Sequence, residues 1–356
     1  KIENGKKYYY DLATKAYKAV PGEDAFIILE NHSNNIIWKN SACNLYDLGD
    51  GIVSLEWKTK MNTIGGEVLE GVHKAIDRAE KDFRSLILAN DAANFSAGAN
   101  VGMIFMLAAE QEYDELDMAV RLFQKTTMRL RYSSIPVVVA PHGLTLGGGC
   151  EMSLHADHVQ AAAETYIGLV ELGVGLIPGG GGTKELTLRA SDQYREGQIE
   201  NPILQERYLT IAQAKVATSA HEAFELGLLR EGIDAISLNQ NRVIADAKEK
   251  AIELANAGYV KPIERTDIRV LGRSALGAIL TGINATHFGN YISEHDAKIA
   301  RKLAYVMCGG DLSEPALVSE QYLLDLEREA FLSLSGERKT LERLQSVLKT
   351  GKPVRN

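Results

Sequence analysis

Apolar residues change their spacing repeatedly along this chain, and each change marks an element. Gly51-Ile-Val-Ser-Leu-Glu-Trp57 suits a strand. Between Gly66 and Ala79, Val68, Leu69, Val72, Ala75 and Ile76 fall at helical spacing, and Ser85-Leu-Ile-Leu-Ala89 reads as a second strand. The unit then repeats. After Phe95-Ser-Ala-Gly-Ala-Asn100 a helical stretch runs from about 103 to 132, and Ile135-Pro-Val-Val-Val-Ala140 has the continuous apolar run of a buried strand. A helix begins near Gly148, and Val159 to Ala162 and Tyr166 to Gly168 look like short strands. From about 183 the spacing is helical almost throughout, including Ile244 to Leu254, Asp296 to Met307 and Ser319 to Leu348. The first fifty residues have no such period and read as an irregular extension. The pattern predicts an α/β core followed by a helical C-terminal region, with boundaries at 1–49, 50–258 and 259–356.

Composition narrows the class. With 356 residues, 45% hydrophobic and 24% charged, the chain has ample core for one large domain with appendages or for two. Its formal charge of -8 gives no electrostatic footprint for nucleic acid. Cys43, Cys150 and Cys308 form no Cys-x-x-Cys pair, so a disulfide framework is not expected and a reducing cytoplasm is the default. No apolar stretch approaches the roughly 20 residues of a membrane span, and no apolar signal core follows the first lysines. The expected protein is soluble. Lys1 stands where an initiator Met would, as in a processed protein or a piece of a longer one.

Two glutamates carry the strongest chemical signal. Glu151 closes Leu146-Gly-Gly-Gly-Cys-Glu151, and Glu171 lies in Gly168-Leu-Val-Glu171-Leu-Gly173. A buried strand running into three glycines and a helix bares backbone N–H groups at the positive end of the helix dipole, where an oxyanion would be stabilised. Close helix–strand packing is the alternative use of those glycines. The segment Ala92-Ala-Asn-Phe-Ser-Ala-Gly-Ala-Asn100 offers a second strand end whose amides could approach a ligand; alone it is only a turn. Gly179 to Gly182 fails as a phosphate loop, because Thr183-Lys184 stands in the wrong order for a Walker motif and Gly173-Val-Gly175-Leu-Ile-Pro178 breaks the dinucleotide fingerprint at its third glycine. His155-Ala-Asp-His158 has metal-like spacing without an evident third or fourth ligand, so no metal is expected. His142 reads as a hydrogen-bonded wall residue rather than a base.

In order and spacing these segments resemble the enoyl-CoA hydratase/isomerase (crotonase) superfamily. Phe95 to Asn100 is similar to its first oxyanion turn, Pro136 to Glu151 to its second turn and first glutamate, Gly168 to Thr183 to its second glutamate and glycine loop, and Thr218 to Leu229 to a fourth, helical segment. The resemblance covers about residues 50 to 260. It implies a spiral of β-β-α units with a helical C-terminal region, assembly as trimers or pairs of trimers, and an acyl-CoA thioester as ligand with no separate cofactor, CoA being part of the substrate. Carried over by position, the amides of Ala99 and Gly148 would grip the thioester oxygen, and Lys60, Met61, Ala97, Asn100 and Val101 would line the CoA groove. Glu151 would activate a water and Glu171 would handle the C2 proton, giving hydration of a 2-enoyl-CoA in fatty-acid β-oxidation.

The match has departures and rivals. Asn100 stands where many members have Asp, and His142 where many have Asn. Between Thr183 and Thr218 the chain is about a dozen residues longer than a short hydratase, concentrated near Asp192 to Leu204. The two ends, Lys7 to Tyr17 and Leu348 to Asn356, resemble the C-terminal half of fused proteins in which an NAD-dependent 3-hydroxyacyl-CoA dehydrogenase precedes the hydratase; that half would then be missing here. Δ3-Δ2-enoyl-CoA isomerisation and thioester hydrolysis are the rival reactions. A non-catalytic scaffold is the rival class; it would use Glu112 to Asp117 and the charged helix Glu327 to Arg343, charges otherwise read as solvated.

Overall fold

A computed structural model describes residues 1–3 and 5–356. The chain opens with a small antiparallel meander, β1 (Ile2–Glu3), β2 (Lys6–Asp11) and β3 (Ala16–Ala19), whose exposed Tyr10 and Tyr17 rings meet edge to face at 5.2 Å. The main sheet begins with β4 (Ile36–Lys39) and β5 (Cys43–Asp47), which pair antiparallel, and β5 pairs antiparallel in turn with β6 (Ile52–Trp57). The irregular reading of the first fifty residues missed this pair. Strand β5 packs Leu45 and Tyr46 on opposite faces, so its five residues show no one-sided alternation to detect.

From β6 onward the chain spirals. β6 passes through Ile64 into α1 (Gly66–Asp82). β7 (Ser85–Leu88) passes through 96–99 into α2 (Val101–Ala109) and α3 (Tyr113–Arg131), which replace the single helix expected over 103 to 132. The break falls at Gln111, whose φ of 62° lies outside helical geometry. β8 (Val137–Val139) leads to β9 (Gly143–Leu146) and α4 (Gly148–Leu154); β10 (His158–Ala162) leads to β11 (Thr165–Gly168) and the 3-10 turn Glu171–Val174. Then come α5 (Gly182–Gln193), α6 (Asn201–Ala212), α7 (Ala220–Glu225), β12 (Ala235–Ser237) and α8 (Val243–Asn256). The sheet order is β12-β10-β8-β7-β6-β5-β4, parallel from β12 to β6. The second segments of successive turns pair with one another as Ile64 with Ala99, Ser96 with Thr145, β9 with β11, and Gly168 with Val216. This inner layer holds the candidate site.

Alternation explains why the parallel strands read as unbroken apolar runs. Leu86, Leu88, Val137 and Val139 enter the large core shared with the helices, while Ile87, Ala89, Val138 and Ala140 enter a smaller core beneath Val243, Ile244, Ala247 and Ala251 of α8. Both faces are covered, so both sets are apolar.

The C-terminal region comprises β13 (Ile268–Val270), α9 (Gly272–Phe288), α10 (Glu294–Met307), β14 (Ala316–Val318), α11 (Glu320–Ser335) and α12 (Arg338–Thr350), the last two replacing one long helical stretch. It shares the large core through Leu303, Phe331, Leu334 and Leu344. Helix α11 packs on α3 and α5, and α12 on α2 and the 3-10 turn at Glu171. The extra stretch near Asp192 to Leu204 becomes a loop and the first turn of α6, packed on α5 and α10. Among the described residues, no helix is long and apolar enough to cross a membrane.

Candidate active site

Two backbone turns meet where the sequence predicts. Gly98 adopts φ 98°, and a Cβ there would lie 2.9 Å from the Leu146 carbonyl oxygen and 3.3 Å from the Gly148 nitrogen. Only glycine allows both the dihedral and the approach. In turn, a Cβ on Gly148 would lie 3.2 Å from the Ala99 nitrogen. The amides on either side are used, Gly98 N–H donating to Ser96 Oγ at 3.0 Å and Asn100 N–H to the Ile64 carbonyl at 3.1 Å, while that of Ala99 has no acceptor among the described residues. Gly148 opens α4, where the first amides have no intrahelical partner. The structure thus brings the Ala99 and Gly148 amides side by side.

The two glutamates flank them in unlike surroundings. Glu151 is buried on α4, and its Oε1 accepts from the amides of Gly180 at 2.8 Å and Gly182 at 2.9 Å. Burial pushes its carboxyl up to about 7, against the pull of those two amides and the charge of Lys184. Glu171 starts the 3-10 turn, and its Oε1 lies 2.9 Å from the point a Cβ on Gly147 would occupy. Its Oε2 is enclosed without a hydrogen-bond partner among the described residues. Burial and then the charge of Glu151 drive its carboxyl well above the usual range. Between the turns stands Phe123 of α3; a Cβ would meet its ring at 2.7 Å from Gly148 and at 2.5 Å from Gly180.

The five proposed groove residues lie on two segments hydrogen-bonded together. Lys60 and Met61 belong to the 3-10 turn Lys60–Asn62, the Met61 carbonyl accepts from the Ala97 amide at 3.1 Å, and the Asn100 side chain caps α2 through Met103 N–H just before Val101. Lys60, Met61 and Asn100 are exposed, and Ala97 and Val101 are half-buried.

The model of the family described as enoyl-CoA hydratase/isomerase matches residues 50–195. Over 99% of its length the chain is 44% identical to a Bacillus subtilis protein named "Probable 3-hydroxyacyl-CoA dehydrogenase", covering 44% of that protein. Over 75% of its length it is 24% identical to "Fatty acid oxidation complex subunit alpha" of Shewanella loihica, covering 41% of it. The crystal structure of enoyl-CoA hydratase from Bacillus halodurans matches with a TM-score of 0.58 at 17% identity, over 86% of this chain and 100% of that one. Residues 50–195 belong to the enoyl-CoA hydratase/isomerase (crotonase) superfamily. The chain folds as the crotonase spiral with a helical C-terminal region. It spans under half the length of the curated relatives it matches.

Beyond the expected crotonase positions, a third acid closes the site. Glu327 of α11 accepts from the Gly181 amide through Oε1 at 2.6 Å and from the Lys184 amide through Oε2 at 3.0 Å; Gln124 donates to Oε1 at 3.3 Å. Burial and the charge of Glu151 push its carboxyl up to about 8. This overturns the solvated reading at the two ends of that stretch, since Glu327 is 0% and Arg343 1% exposed, whereas Glu329, Arg338, Lys339 and Glu342 between them are exposed. A sequence signal existed: Glu320, Leu323, Leu324, Glu327, Ala330, Phe331 and Leu334 form one stripe at helical spacing, which puts two acids on an apolar face.

Behind Glu327 lies a buried charge network. Lys184 Nζ contacts Glu320 at 2.8 Å, His155 Nε2 at 3.0 Å and Glu185 at 3.2 Å. Glu185 also pairs with Arg131 at 2.5 Å and Arg189 at 3.0 Å; burial opposes its charge, but Arg131, Lys184 and Arg189 outweigh that and hold it well below the usual range. His155 is thereby a structural partner, with Nδ1 against the Glu151 carbonyl at 2.7 Å, and His158 is bound to Ile233 C=O and Gln160. His142 is a wall residue, its Nε2 at 2.6 Å from the Ala92 carbonyl.

Proposed function

We propose that this chain hydrates 2-enoyl-CoA thioesters to 3-hydroxyacyl-CoA. The observation that carries the reading is the pair of unlike carboxyl groups beside two adjacent backbone amides. Glu151, steadied by two amide donors, is the more readily ionised and suits a general base; Glu171, with an oxygen that receives no donor, suits a general acid at neutral pH. Glu151 takes a proton from water as its oxygen bonds to C3. The C2–C3 π electrons move toward the thioester, whose oxygen gathers charge between the Ala99 and Gly148 amides. That charge returns as C2 takes the proton of Glu171. A fixed amide donor of this kind contributes roughly 3 kcal/mol to the barrier. Isomerisation needs only one shuttling acid, and a scaffold needs neither acid nor bare amides.

The test is hydration of crotonyl-CoA by Glu151→Gln and Glu171→Gln, each expected to lose about 10²- to 10⁴-fold in kcat. Full activity in either variant would sink the assignment. The names of the relatives support a further proposal, that hydration here serves fatty-acid oxidation alongside an NAD-dependent dehydrogenase outside these residues. This chain should then form no NADH from 3-hydroxybutyryl-CoA, and NADH formation would refute that part alone.

A further inference from the structure

We propose that Glu327 is a positioning residue for Glu151: by taking the Gly181 and Lys184 amides, it holds the glycine loop so that the Gly180 and Gly182 amides converge on one oxygen of Glu151. Four amide donors of the loop and the start of α5, those of Gly180, Gly181, Gly182 and Lys184, are divided between two acids from distant elements. Gly180 and Gly182 point to Glu151 Oε1, while Gly181 and Lys184 point to the two oxygens of Glu327. Gly181 takes a left-handed conformation at φ 104° and Gly182 opens α5, so this tight turn sends neighbouring amides to different acids, and holding one pair constrains the other. Both donors fall on Glu151 Oε1, which leaves Oε2 as the oxygen to take the proton of water. Oε2 also lies 2.7 Å from the point a Cβ on Gly180 would occupy, so only glycine lets the loop come this close to Glu151. Gln124 of α3 and the turns of α11 enclose Glu327, and no route to substrate is needed for this role.

The inference rests on the hydratase reading, and its test separates the two. Glu327→Gln replaces one acceptor oxygen with an NH2 group that faces a backbone N–H, so one of the two amides is lost. In an otherwise unchanged chain, Glu327→Gln is expected to lower crotonyl-CoA kcat roughly 10- to 100-fold, with KM within about threefold. In a Glu151→Gln background the same change is expected to cost less than about twofold, because the two side chains act as a unit. Equal losses in both backgrounds, or an unchanged kcat, would overturn the proposal. Glu327→Asp, which keeps one carboxylate contact, carries the same cycle if the Gln variant does not fold. Amide hydrogen exchange over residues 179–184 reads the geometry independently of turnover. Faster exchange in the variant supports the clamp and unchanged exchange overturns it. A wild-type chain that exchanges as expected but does not hydrate crotonyl-CoA counts against the hydratase reading alone.

Discussion

The spiral core and the C-terminal helices build the candidate site by different means. The core contributes amides and acids through local backbone geometry: strand ends at Gly98 and Gly147, a helix opening at Gly148, and glutamates three and four residues beyond the turns that place them. The C-terminal region contributes side chains that reach across the fold, with Glu327 on amides more than a hundred residues away in sequence and Glu320 on Lys184. Local geometry leaves a motif. Long-range pairing leaves only a polar residue on an apolar stripe, and its meaning depends on what packs opposite.

Several changes would break or sharpen that contrast. The largest effect is expected at the junction of the two regions. Lys184→Met strips Glu320 and Glu185 of a shared buried cation and should cost about 3–5 kcal/mol, as breaking a buried ion pair does. Urea unfolding measures it, and a loss below about 1 kcal/mol would mean that the network does not fasten α11 to the core. Next comes Gly98→Ala in the core, which drives a Cβ to 2.9 Å from the Leu146 carbonyl and separates the paired turns. Its kcat for crotonyl-CoA should fall roughly 100-fold, the scale of one displaced oxyanion donor.

The pH dependence of stability comes third. Glu151 and Glu327 are raised in the folded chain from 4.5 to about 7 and about 8. A raised carboxyl binds its proton more tightly folded than unfolded, so its contribution is complete below about 4.5 and is lost as pH rises through 7 to 8. Unfolding midpoints should therefore decline from pH 5 to pH 8.5, and Glu327→Gln should flatten that decline; an unchanged slope would show that Glu327 is not a titrating part of the site. The smallest effect is local to the core. Asn100→Ala removes the cap of α2 and should cost about 1 kcal/mol in thermal unfolding, with no change to the C-terminal region.

The legibility of the molecule follows the same division. The parallel strands were readable because burial on both faces makes them continuously apolar, and the turns because only glycine tolerates their dihedrals and close contacts. Strands β4 and β5 were not, since five residues with apolar side chains on both faces, preceded by a polar loop, carry no period. The long helical stretches were recognised but not their breaks, which fall at Gln111 with its φ of 62° and at Glu337 with its extended ψ of 130°, because helical spacing of apolar residues runs on either side of each. Charge in the last helices was the least readable feature, because an exposed glutamate and one clamped to backbone amides have the same composition.

By itself the sequence determined the order of the strands and helices of the core, the two glycine-bearing turns at 95–100 and 146–151 and the identity of the two candidate acids, since each depends on residues close together in the chain; that the two turns meet came from the family resemblance. Only the tertiary structure decided that Glu151 shares its glycine loop with Glu327 and that Lys184 lies between Glu185 and Glu320. The contacts of Glu327 and Glu320 join segments more than 130 residues apart, and a buried charge is specified by the partner that offsets its desolvation rather than by its neighbours in sequence.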